Sequence, residues 1–454
     1  MVRVRFAPSP TGHLHVGNAK TALFNHLFAR KNEGAFVLRM EDTDVERSDV
    51  SYEQSIVDDL RWLGIRWDEG PLRQSDRLDI YRSHALSLLD NGLAYRCFCS
   101  EEELSAARTR SLSRGEPPRY SGKCGRLSHE EARRLVSEGR PFTVRFRSDG
   151  RPIMFNDGIR GEVSFPRGHV DDLIILRRDG TPTYNLAVVV DDMLMGITHV
   201  IRGADHISNT PKQIALFDAF KSPPPAYAHH SLLTGADRKP LSKRHGATRV
   251  IDFRGAGVVS EALVNYLCTM GRSVATEIMD MDELVRTFSL DSVSGSDNIF
   301  DMEKLLWFNR EYLKHMPLSR LIEEAGLAGS DPVMISAVRD NAATLNDLKD
   351  YMEIFSVADI KESALRYLMN TAAAAETGRA VKELLGGREG LSFEELTQTL
   401  KRPADLKKKD FFMILRAFIT GRSDGPPLKE IFPLVPVDII TGRIDAYLNP
   451  RHKG

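Results

Sequence analysis

The chain begins with a pattern of apolar and polar residues that predicts a strand, a turn and a helix. Residues 2–6 (VRVRF) are β-branched and aromatic at the positions that a buried strand requires. Two prolines and a glycine within residues 8–12 predict a turn, because neither a sheet nor a helix continues through them. From Asn18 the apolar residues recur at three- and four-residue spacing, which predicts a helix. The backbone N–H groups of the turn and the positive end of the helix would then meet at one point, an arrangement typical of a phosphate site.

Further strands and helices follow with similar spacing. Residues 35–40 predict a second strand that ends directly in Glu41, and a carboxylate at that end of a buried strand faces the ligand crevice of an open α/β sheet. The sheet is predicted to resume with strands at residues 184–192 and 199–203. Helices are predicted at 55–63 and 76–89, and another is expected to start at 209–211 with a cap and a proline.

The sequence pattern changes in the segment 94–182, which predicts short strands, turns and a charged helix. Its clearest strands lie at 143–146 and 173–176, and Arg-Asp-Gly at 178–180 predicts a hairpin turn. Beyond Leu318 the apolar spacing is helical throughout. We therefore expect an α/β fold, a Rossmann-type parallel-sheet catalytic domain with an α+β insertion, followed by all-helical C-terminal domains. The predicted domains are residues 1–93 with 183–250 (catalytic), 94–182 (insertion), 251–317 (connecting) and 318–454 (helical).

Composition and charge narrow the class of protein. A chain of 454 residues with 42% hydrophobic and 28% charged residues is expected to be an ordinary globular protein of several domains. The formal net charge of −1 gives no sign of a nucleic-acid partner. A tRNA-binding face, if present, would therefore have to be a local basic patch. The densest basic run is Lys401-Arg402 with Lys407–Lys409, which is either a solvated helix face or a phosphate contact. No run of eighteen apolar residues occurs, and a first strand starting at Val2 leaves no room for a targeting peptide, so we expect a cytoplasmic location and no membrane contact.

Three of the four cysteines lie together in the sequence, at Cys97, Cys99 and Cys124. In a reducing cytosol this clustering favours a metal site over a disulfide, although three reduced thiols are the simpler alternative. A closed tetrahedral zinc site needs a fourth ligand.

Two segments resemble the signatures of a known family. Residues 8–25 (PSPTGHLHVGNAKTALFN) are similar to the ATP-binding signature of class I aminoacyl-tRNA synthetases in its glutamyl form, with His15 and Gly17 at motif positions and Asn18 in place of the last histidine. His13 is not a motif position. Residues 241–247 (LSKRHGA) resemble the mobile Lys-Met-Ser-Lys-Ser loop of the same family, although a proline replaces its first lysine.

The resemblance implies which residues bind the substrates. It implies ATP as a substrate with Mg²⁺, and contacts to ATP from His15, Gly17, Asn18, Leu233, Ser242, Lys243 and Arg244, with His15 and Lys243 as the catalytic residues. It implies a glutamate pocket made by Arg5, Ser9, Glu41, Tyr184 and Arg202. The guanidinium of Arg202 suits a side-chain carboxylate, which it can hold through two parallel hydrogen bonds. Without the motif, an ordinary salt bridge at the end of the sheet would be the favoured explanation of Arg202.

The resemblance also implies sites for tRNA and for zinc. The insertion would hold the acceptor end of the tRNA, and zinc would be bound by Cys97, Cys99 and Cys124 with Tyr120 as the fourth ligand and His129 in reserve, because Arg126 stands where the family usually has a histidine. The helical tail would bind the anticodon. Asn341 occupies the position at which many members carry an arginine that reads the anticodon, so we hypothesise relaxed discrimination between tRNA-Glu and tRNA-Gln. The predicted tRNA contacts are Asn341, Lys401, Arg402, Lys407, Lys408 and Lys409.

Together these features predict a monomeric glutamate–tRNA ligase that activates L-glutamate with ATP and transfers it to the terminal adenosine of tRNA. If the enzyme also charges tRNA-Gln, a tRNA-dependent amidotransferase would be its partner. The alternatives are a nucleotidylyltransferase of the same superfamily, a shortened paralogue that glutamylates a base of tRNA-Asp, and a non-catalytic tRNA-binding protein. The helical tail beyond Leu318 argues against the first two.

Overall fold

The computed structural model describes residues 1–449 except 45–47, 116–118, 243, 245, 389 and 405. The chain forms two compact units. The first contains residues 1–252 and 264–301, and the second contains residues 253–263 and the chain from 302 onward. The four-part division given above stays a prediction.

A parallel sheet forms the start of the first unit. Strands β1 (Arg3–Phe6), β2 (Ala35–Met40) and β3 (Glu69–Arg73) pair in parallel in the order β1-β2-β3. The helices between and after them are α1 (Val16–Lys31), α2 (Val50–Trp62) and α3 (Leu78–Asp90). The predicted strands at 2–6 and 35–40 and the first helix are thus confirmed. That helix begins at Val16, two residues before the predicted Asn18, because the His15 side chain accepts the Gly17 N–H and caps it.

A second set of strands forms a four-stranded sheet that begins beside the first. Strands β6 (Ile153–Asp157), β7 (Gly161–Phe165), β9 (His199–Gly203) and β10 (Ala226–His230) lie in the order β7-β6-β10-β9, and β10 is parallel to both of its neighbours. Thr198, just before β9, donates its backbone N–H to the Arg3 carbonyl at 2.9 Å, so β9 begins beside β1. The carboxyl ends of β1, β2, β9 and β10 therefore meet at one edge, where open α/β sheets bind ligands.

The prediction of a strand at residues 184–192 is wrong, since this segment is helix α6 (Tyr184–Leu194). Every residue from Leu186 to Asp192 is buried. A short apolar run that is buried on all sides has no periodicity that separates a strand from a helix, and valines tilt the balance towards a strand only when tertiary packing does not decide otherwise. The next helix, α7 (Thr210–Ala219), has the predicted proline at its start.

The segment predicted as an insertion contains a small antiparallel sheet. Strands β4 (Ala94–Cys97), β5 (Thr143–Phe146) and β8 (Ile174–Leu176) pair in the order β4-β5-β8. Helices α4 (Glu101–Ser113) and α5 (His129–Ser137) begin at Ser100 and Ser128, and both are capped by reciprocal serine–glutamate hydrogen bonds. The predicted turn at 178–180 is present, since Arg177 N–H bonds the Thr181 carbonyl at 2.9 Å.

The remaining elements of the first unit are short: β11 (Leu233–Thr234), α10 (Met281–Thr287) and β12 (Asn298–Ile299). Two further helices belong partly to each unit, because the unit boundaries fall within them: α8 (Val250–Gly255) and α9 (Ser260–Thr269).

The second unit is helical, as predicted, and its described residues contain no strand. Its further helices are α11 (Met302–His315), α12 (Leu318–Ala325), α13 (Pro332–Arg339), α14 (Leu345–Met352), α15 (Glu362–Met369), α16 (Ala374–Gly387), α17 (Phe393–Thr399), α18 (Lys408–Thr420), α19 (Leu428–Ile431) and α20 (Val437–Leu448). The segment 253–263 is tied to this unit by hydrogen bonds: Val259 N–H bonds the side-chain Oδ1 of Asn309 at 2.8 Å, and Leu345 N–H bonds the Gly257 carbonyl at 2.9 Å. Among all described helices, none combines the length and the apolar character that a membrane span needs.

Candidate active site

The first site element is the start of α1. His15 caps this helix through its Nδ1 atom, which accepts the Gly17 N–H at 3.1 Å. Burial lowers the pKa of His15, against a hydrogen bond to the Leu241 backbone, so the imidazole is neutral near pH 7. No acidic residue lies in the first turn of α1, so the positive end of the helix dipole is not neutralised there. These features suit an anionic ligand such as a phosphate.

The second signature lies directly beside the first. Val16 N–H bonds the Thr248 carbonyl at 2.9 Å, and Val250 N–H bonds the Leu14 carbonyl at 2.9 Å. Leu241 N–H bonds the Leu233 carbonyl at 3.0 Å, which closes a hairpin at the other end of the signature. Two segments more than 200 residues apart in sequence therefore form one wall. Lys243, predicted to be catalytic, lies outside the described residues.

A cavity of about 690 Å³ opens between the start of α1 and the carboxyl ends of the strands. Nine of the predicted site residues line it together: Arg5, Ser9, His15, Gly17, Asn18, Glu41, Tyr184, Arg202 and Leu233. Ser242 and Arg244 are not in its lining, and Arg244 pairs with Asp237 at 3.2 Å. His13 bonds Ser55 at 2.8 Å and does not line the cavity either.

Behind one wall of the cavity lies a buried arginine with several carboxylates. Arg39 is fully buried in β2 and donates to Asp192 at 2.7 Å and to Glu41 at 3.2 Å. Arg5 also bonds Asp192, with Nε 3.2 Å from Oδ1. Burial raises the pKa of Asp192, but the attraction of Arg5 and Arg39 outweighs it, and the net shift is downward. Arg5 and Glu41 are thus held in place by their shared bonds to Asp192 and Arg39 behind the cavity wall.

The neighbouring carboxylate, Asp191, ties α6 to α3. It accepts hydrogen bonds from Gln74 at 2.9 Å, Arg77 at 2.8 Å and Tyr81 at 2.9 Å. The two adjacent aspartates therefore hold α6, and with it Tyr184, against two other parts of the fold.

Arg202 differs from these arginines, because none of its described partners is a carboxylate. Its Nε donates to His229 at 3.1 Å, and its Nη2 donates to Thr210 and Gln213 at 2.9 Å each. Its Nη1 has no hydrogen-bond partner among the described residues, although the side chain is only 5% exposed. Burial lowers the pKa of Arg202, against the attraction of Tyr184. A buried cation in the wall of a cavity without a protein counter-ion is a place for an anionic group of a ligand.

The predicted zinc ligands form a cluster in the first unit. The Sγ atoms of Cys97, Cys99 and Cys124 lie within 4.8 Å of one another. The Tyr120 hydroxyl is 3.4 Å from the Cys97 Sγ and 3.6 Å from the Cys99 Sγ, and it accepts the Cys124 N–H at 3.0 Å. Burial raises the pKa of Cys97, but hydrogen bonds from Tyr120 and Arg145 outweigh it and lower it to about 7. Three thiols and one oxygen at these distances fit a tetrahedral zinc ion.

The reserve ligands and the predicted tRNA contacts lie elsewhere. Arg126 donates to the Ser121 carbonyl at 3.1 Å, and His129 is the first residue of α5. In the second unit Asn341 is half-buried just after α13, with its N–H on the Val338 carbonyl at 3.1 Å. All five basic residues of the run are exposed: Lys401, Arg402, Lys407, Lys408 and Lys409. Their contacts with tRNA stay predictions.

Sequence reasoning missed four residues that hold the site: Arg39, Asp157, Asp192 and His229. One signal was available for Arg39, a charged residue inside an otherwise apolar strand, since such a residue is buried only when it is paired. The sequence predicted a strand at Asp192, so its buried position in helix α6 was not foreseen. Nothing in the sequence pairs Asp157 with His229, because 72 residues separate them.

Comparisons with known proteins agree with this geometry. Residues 1–307 match the family described as tRNA synthetases class I (E and Q), catalytic domain, and residues 300–448 match the family described as anticodon binding domain. The glutamate–tRNA ligase of Carboxydothermus hydrogenoformans is 44% identical over 96% of this chain and 97% of its own length. Glutamate–tRNA ligase 2 of Syntrophus aciditrophicus is 42% identical over 98% of both chains.

A solved structure is similar over the whole length as well. The glutamate–tRNA ligase of Elizabethkingia meningosepticum, crystallised in complex with its amino acid, superposes with a TM-score of 0.82 at 30% identity, covering 98% of this chain and 99% of that one. The chain therefore belongs to the class I aminoacyl-tRNA synthetases, in the branch specific for glutamate and glutamine. Its activity within that branch is that of a glutamate–tRNA ligase, because the relatives with this activity match it from end to end. Enzymes of this class use ATP and Mg²⁺.

Proposed function

We propose that the cavity binds L-glutamate with its side-chain carboxylate on Arg202, and ATP across the start of α1. The single observation that carries this is the Nη1 of Arg202, which lacks a partner among the described residues although the guanidinium is buried in the cavity wall. Glu41 would hold the ammonium group, and Arg5, Ser9 and Tyr184 would complete the pocket.

The unpartnered cation selects glutamate over glutamine. A carboxylate brings the negative charge that a buried guanidinium lacks, whereas an amide leaves that charge uncompensated. The two N–H groups of Nη1 remain for the ligand, because Nη2 already donates to Thr210 and Gln213. The pair of parallel hydrogen bonds expected from the sequence would require the ligand to replace one of those two acceptors.

The chemistry follows from this placement. The α-carboxylate of glutamate attacks the α-phosphorus of ATP, so that a new O–P bond forms, the bond to the β-phosphate breaks and pyrophosphate leaves. A hydroxyl of the terminal adenosine of the tRNA then attacks the activated carbonyl and expels AMP. The protein contributes positioning and charge stabilisation.

Two groups would act on the phosphates. The neutral His15 and the backbone N–H groups at the start of α1, with Gly17 and Asn18, would cradle them, and Lys243 would stabilise the charge that develops in the transition state. Magnesium, carried mainly by the nucleotide, would neutralise part of the phosphate charge. Because the imidazole of His15 caps α1 through Nδ1, a substitution there would disturb both the helix start and the phosphate site.

An experiment on Arg202 tests the glutamate pocket. Truncating one member of a buried charge pair costs about 2–5 kcal/mol, so Arg202→Met is expected to lower kcat/KM for glutamate about thirtyfold to several thousandfold. The KM for ATP should stay unchanged. Arg30→Met is a matched control, because Arg30 is a half-buried arginine paired with Asp68 at 3.0 Å and does not line the cavity. Equal glutamate kinetics in the two variants would contradict the proposal.

For the tRNA range we propose that the chain charges both tRNA-Glu and tRNA-Gln. The support is Asn341 at the position where many relatives carry an arginine, and a product Glu-tRNA-Gln would need an amidotransferase. We expect the enzyme to act as a monomer. Aminoacylation with labelled glutamate, run in parallel with purified tRNA-Glu and tRNA-Gln, tests the range. Charging of tRNA-Glu alone would refute relaxed discrimination and leave the ligase activity intact.

We also propose that Cys97, Cys99, Cys124 and Tyr120 hold a structural zinc ion, which would tie the end of β4 to the loop before α5. Metal analysis of the purified chain is expected to give about one zinc per molecule. Cys97→Ser should abolish binding, whereas Cys268→Ser, at the cysteine outside the cluster, should not change it. A metal-free chain whose unfolding is insensitive to added zinc would contradict this part.

A further inference from the structure

We propose that Asp157 and His229 are positioning residues for glutamate recognition. Asp157 fixes the tautomer of His229, and the Nε2 atom of that tautomer accepts the Nε–H of Arg202 and sets the plane of its guanidinium. This proposal rests on the function of Arg202 given above, but it concerns residues that do not line the cavity.

Asp157 is the last residue of β6 and is fully buried. Its Oδ1 accepts three backbone N–H groups, from Ile159 and Arg160 at 3.0 Å and from His229 at 3.1 Å. Its Oδ2 lies 2.6 Å from Nδ1 of His229. Burial raises the pKa of Asp157, but the bonds from His229 and from the backbone outweigh it, and the net shift is downward. Asp157 is therefore an ionised group that only accepts hydrogen bonds, so Nδ1 of His229 carries a proton.

The other side of the imidazole faces a group that only donates. Nε2 of His229 lies 3.1 Å from Nε of Arg202, and an arginine Nε has no lone pair to offer. Burial lowers the pKa of His229, against the hydrogen bond to Asp157, so the ring is neutral and carries one proton. With that proton on Nδ1, Nε2 has the free lone pair that the Nε–H of Arg202 needs. The opposite tautomer would place two N–H groups face to face.

The guanidinium of Arg202 is therefore held at Nε and Nη2. His229 fixes Nε, and Thr210 and Gln213 fix Nη2. Thr210 also contacts His229, with its Oγ1 3.1 Å from Nε2, so the hydroxyl can accept from Nη2 and donate to the ring. Only Nη1 remains unpartnered among the described residues. A planar group with its orientation fixed in advance loses less entropy when it binds a carboxylate.

The alternative role is purely structural, in which the pair only ties β6 to β10. Asp157→Asn separates the two roles. An asparagine keeps the size and, through its oxygen, the backbone hydrogen bonds, but its amide donates to Nδ1 and moves the imidazole proton to Nε2. Such an exchange gives the wrong tautomer with the geometry otherwise kept. A structural role would then survive, whereas the acceptor for Arg202 would be lost.

The experiment combines kinetics with ¹⁵N NMR of histidine-labelled protein, in which the His229 signals are assigned from their absence in His229→Gln. In the wild-type chain the His229 signals should report the proton on Nδ1, and in Asp157→Asn they should report it on Nε2. The KM for glutamate should rise about tenfold to a hundredfold, the effect of an unmet buried hydrogen bond, with the KM for ATP unchanged. Adding His229→Gln to Asp157→Asn should restore part of the glutamate affinity, because a glutamine oxygen accepts from Arg202 and has no tautomer.

Asp172→Asn is the matched control. Asp172 also accepts a backbone N–H, from Ser148 at 2.8 Å, and a side-chain group, the Tyr95 hydroxyl at 2.6 Å, but it does not line the cavity or touch Arg202. Its KM for glutamate should equal that of the wild type. If Asp157→Asn leaves the tautomer or the KM for glutamate unchanged, or raises the KM values for glutamate and ATP alike, the positioning role is refuted. If Arg202→Met leaves glutamate kinetics unchanged, the function proposed for Arg202 fails instead, so the two failures are distinguishable.

Discussion

Two arginines at the cavity are buried to nearly the same extent, 0% and 5% exposed, but their surroundings differ. Arg39 lies within salt-bridge distance of three carboxylates, those of Glu41, Asp191 and Asp192. Arg202 has a histidine, a hydroxyl and an amide as partners, and no described carboxylate. The described residues supply carboxylates for the first cation and none for the second, which we propose is left for the carboxylate of glutamate. The comparison teaches that charge balance, more than burial, separates a structural arginine from a binding one.

The physical reason is the energy of an ion away from water. A buried ion that loses its partner is destabilising by about 3–5 kcal/mol, whereas replacing an ion that has no partner by an apolar side chain of similar size removes a desolvation penalty. Substitutions at buried cations should therefore change the free energy of unfolding in different directions.

The largest effect is expected for Arg39→Met. This change leaves Asp192 with Arg5 as its remaining cationic partner and leaves Glu41, whose side chain is 8% exposed, without its direct one. We expect the free energy of unfolding to fall by about 3–5 kcal/mol. Urea titration followed by circular dichroism measures it. A midpoint equal to that of the wild type would show that the network does not stabilise the fold.

A smaller effect is expected at Lys20, a third buried cation. Its Nζ has no hydrogen-bond partner among the described residues, and it does not line the cavity. Burial lowers the pKa of Lys20 from 10.5 to about 8. Below pH 8 the amine is charged in the folded and unfolded states, so the full penalty is present. Between pH 8 and 10.5 the folded state loses the proton first, and stability rises with pH.

Lys20→Met should therefore stabilise the chain at pH 7, by about 3 kcal/mol, and remove that rise. Urea midpoints at pH 7, 8.5 and 10 compare the two chains. If the variant keeps the rise of the wild type between pH 8 and 10, the rise belongs to other groups.

The smallest effect on unfolding is expected for Arg202→Met. Since no described carboxylate is left behind, the free energy of unfolding should stay within about 1 kcal/mol of the wild-type value. The same urea titration measures it. A loss comparable to that of Arg39→Met would show that Arg202 is a structural arginine and that charge balance does not distinguish it from Arg39.

The sequence predicted those parts of the molecule that local patterns determine. The strand, turn and helix at residues 2–31 follow from apolar spacing, prolines and a glycine, so their position and their anion-binding character could be inferred. The helical second unit followed in the same way. The cavity lining was predicted through two signatures, because such motifs bring conserved geometry with them, and nine of those residues do lie together.

The rest depends on contacts between distant residues. The Arg39–Asp192 bond joins residues 153 apart, and no pattern in one sequence indicates such a pair. The same holds for the Asp157–His229 bond, which we propose orients Arg202. Helix α6 was mistaken for a strand because burial on all its faces removed the helical period. The motifs thus located residues that line the cavity, and long-range packing supplied the residues that hold them.

The path of the chain between its two units determines whether the first unit can be produced alone by truncating the gene. Residues 253–263 belong to the second unit, although the chain returns to the first at residue 264. A gene truncated after codon 301 would still encode this segment, but it would remove Asn309 and Leu345, the acceptor and donor that pair with Val259 and Gly257. The catalytic half therefore cannot be released by a single stop codon. A free-standing version would need a redesigned connection between residues 252 and 264 as well.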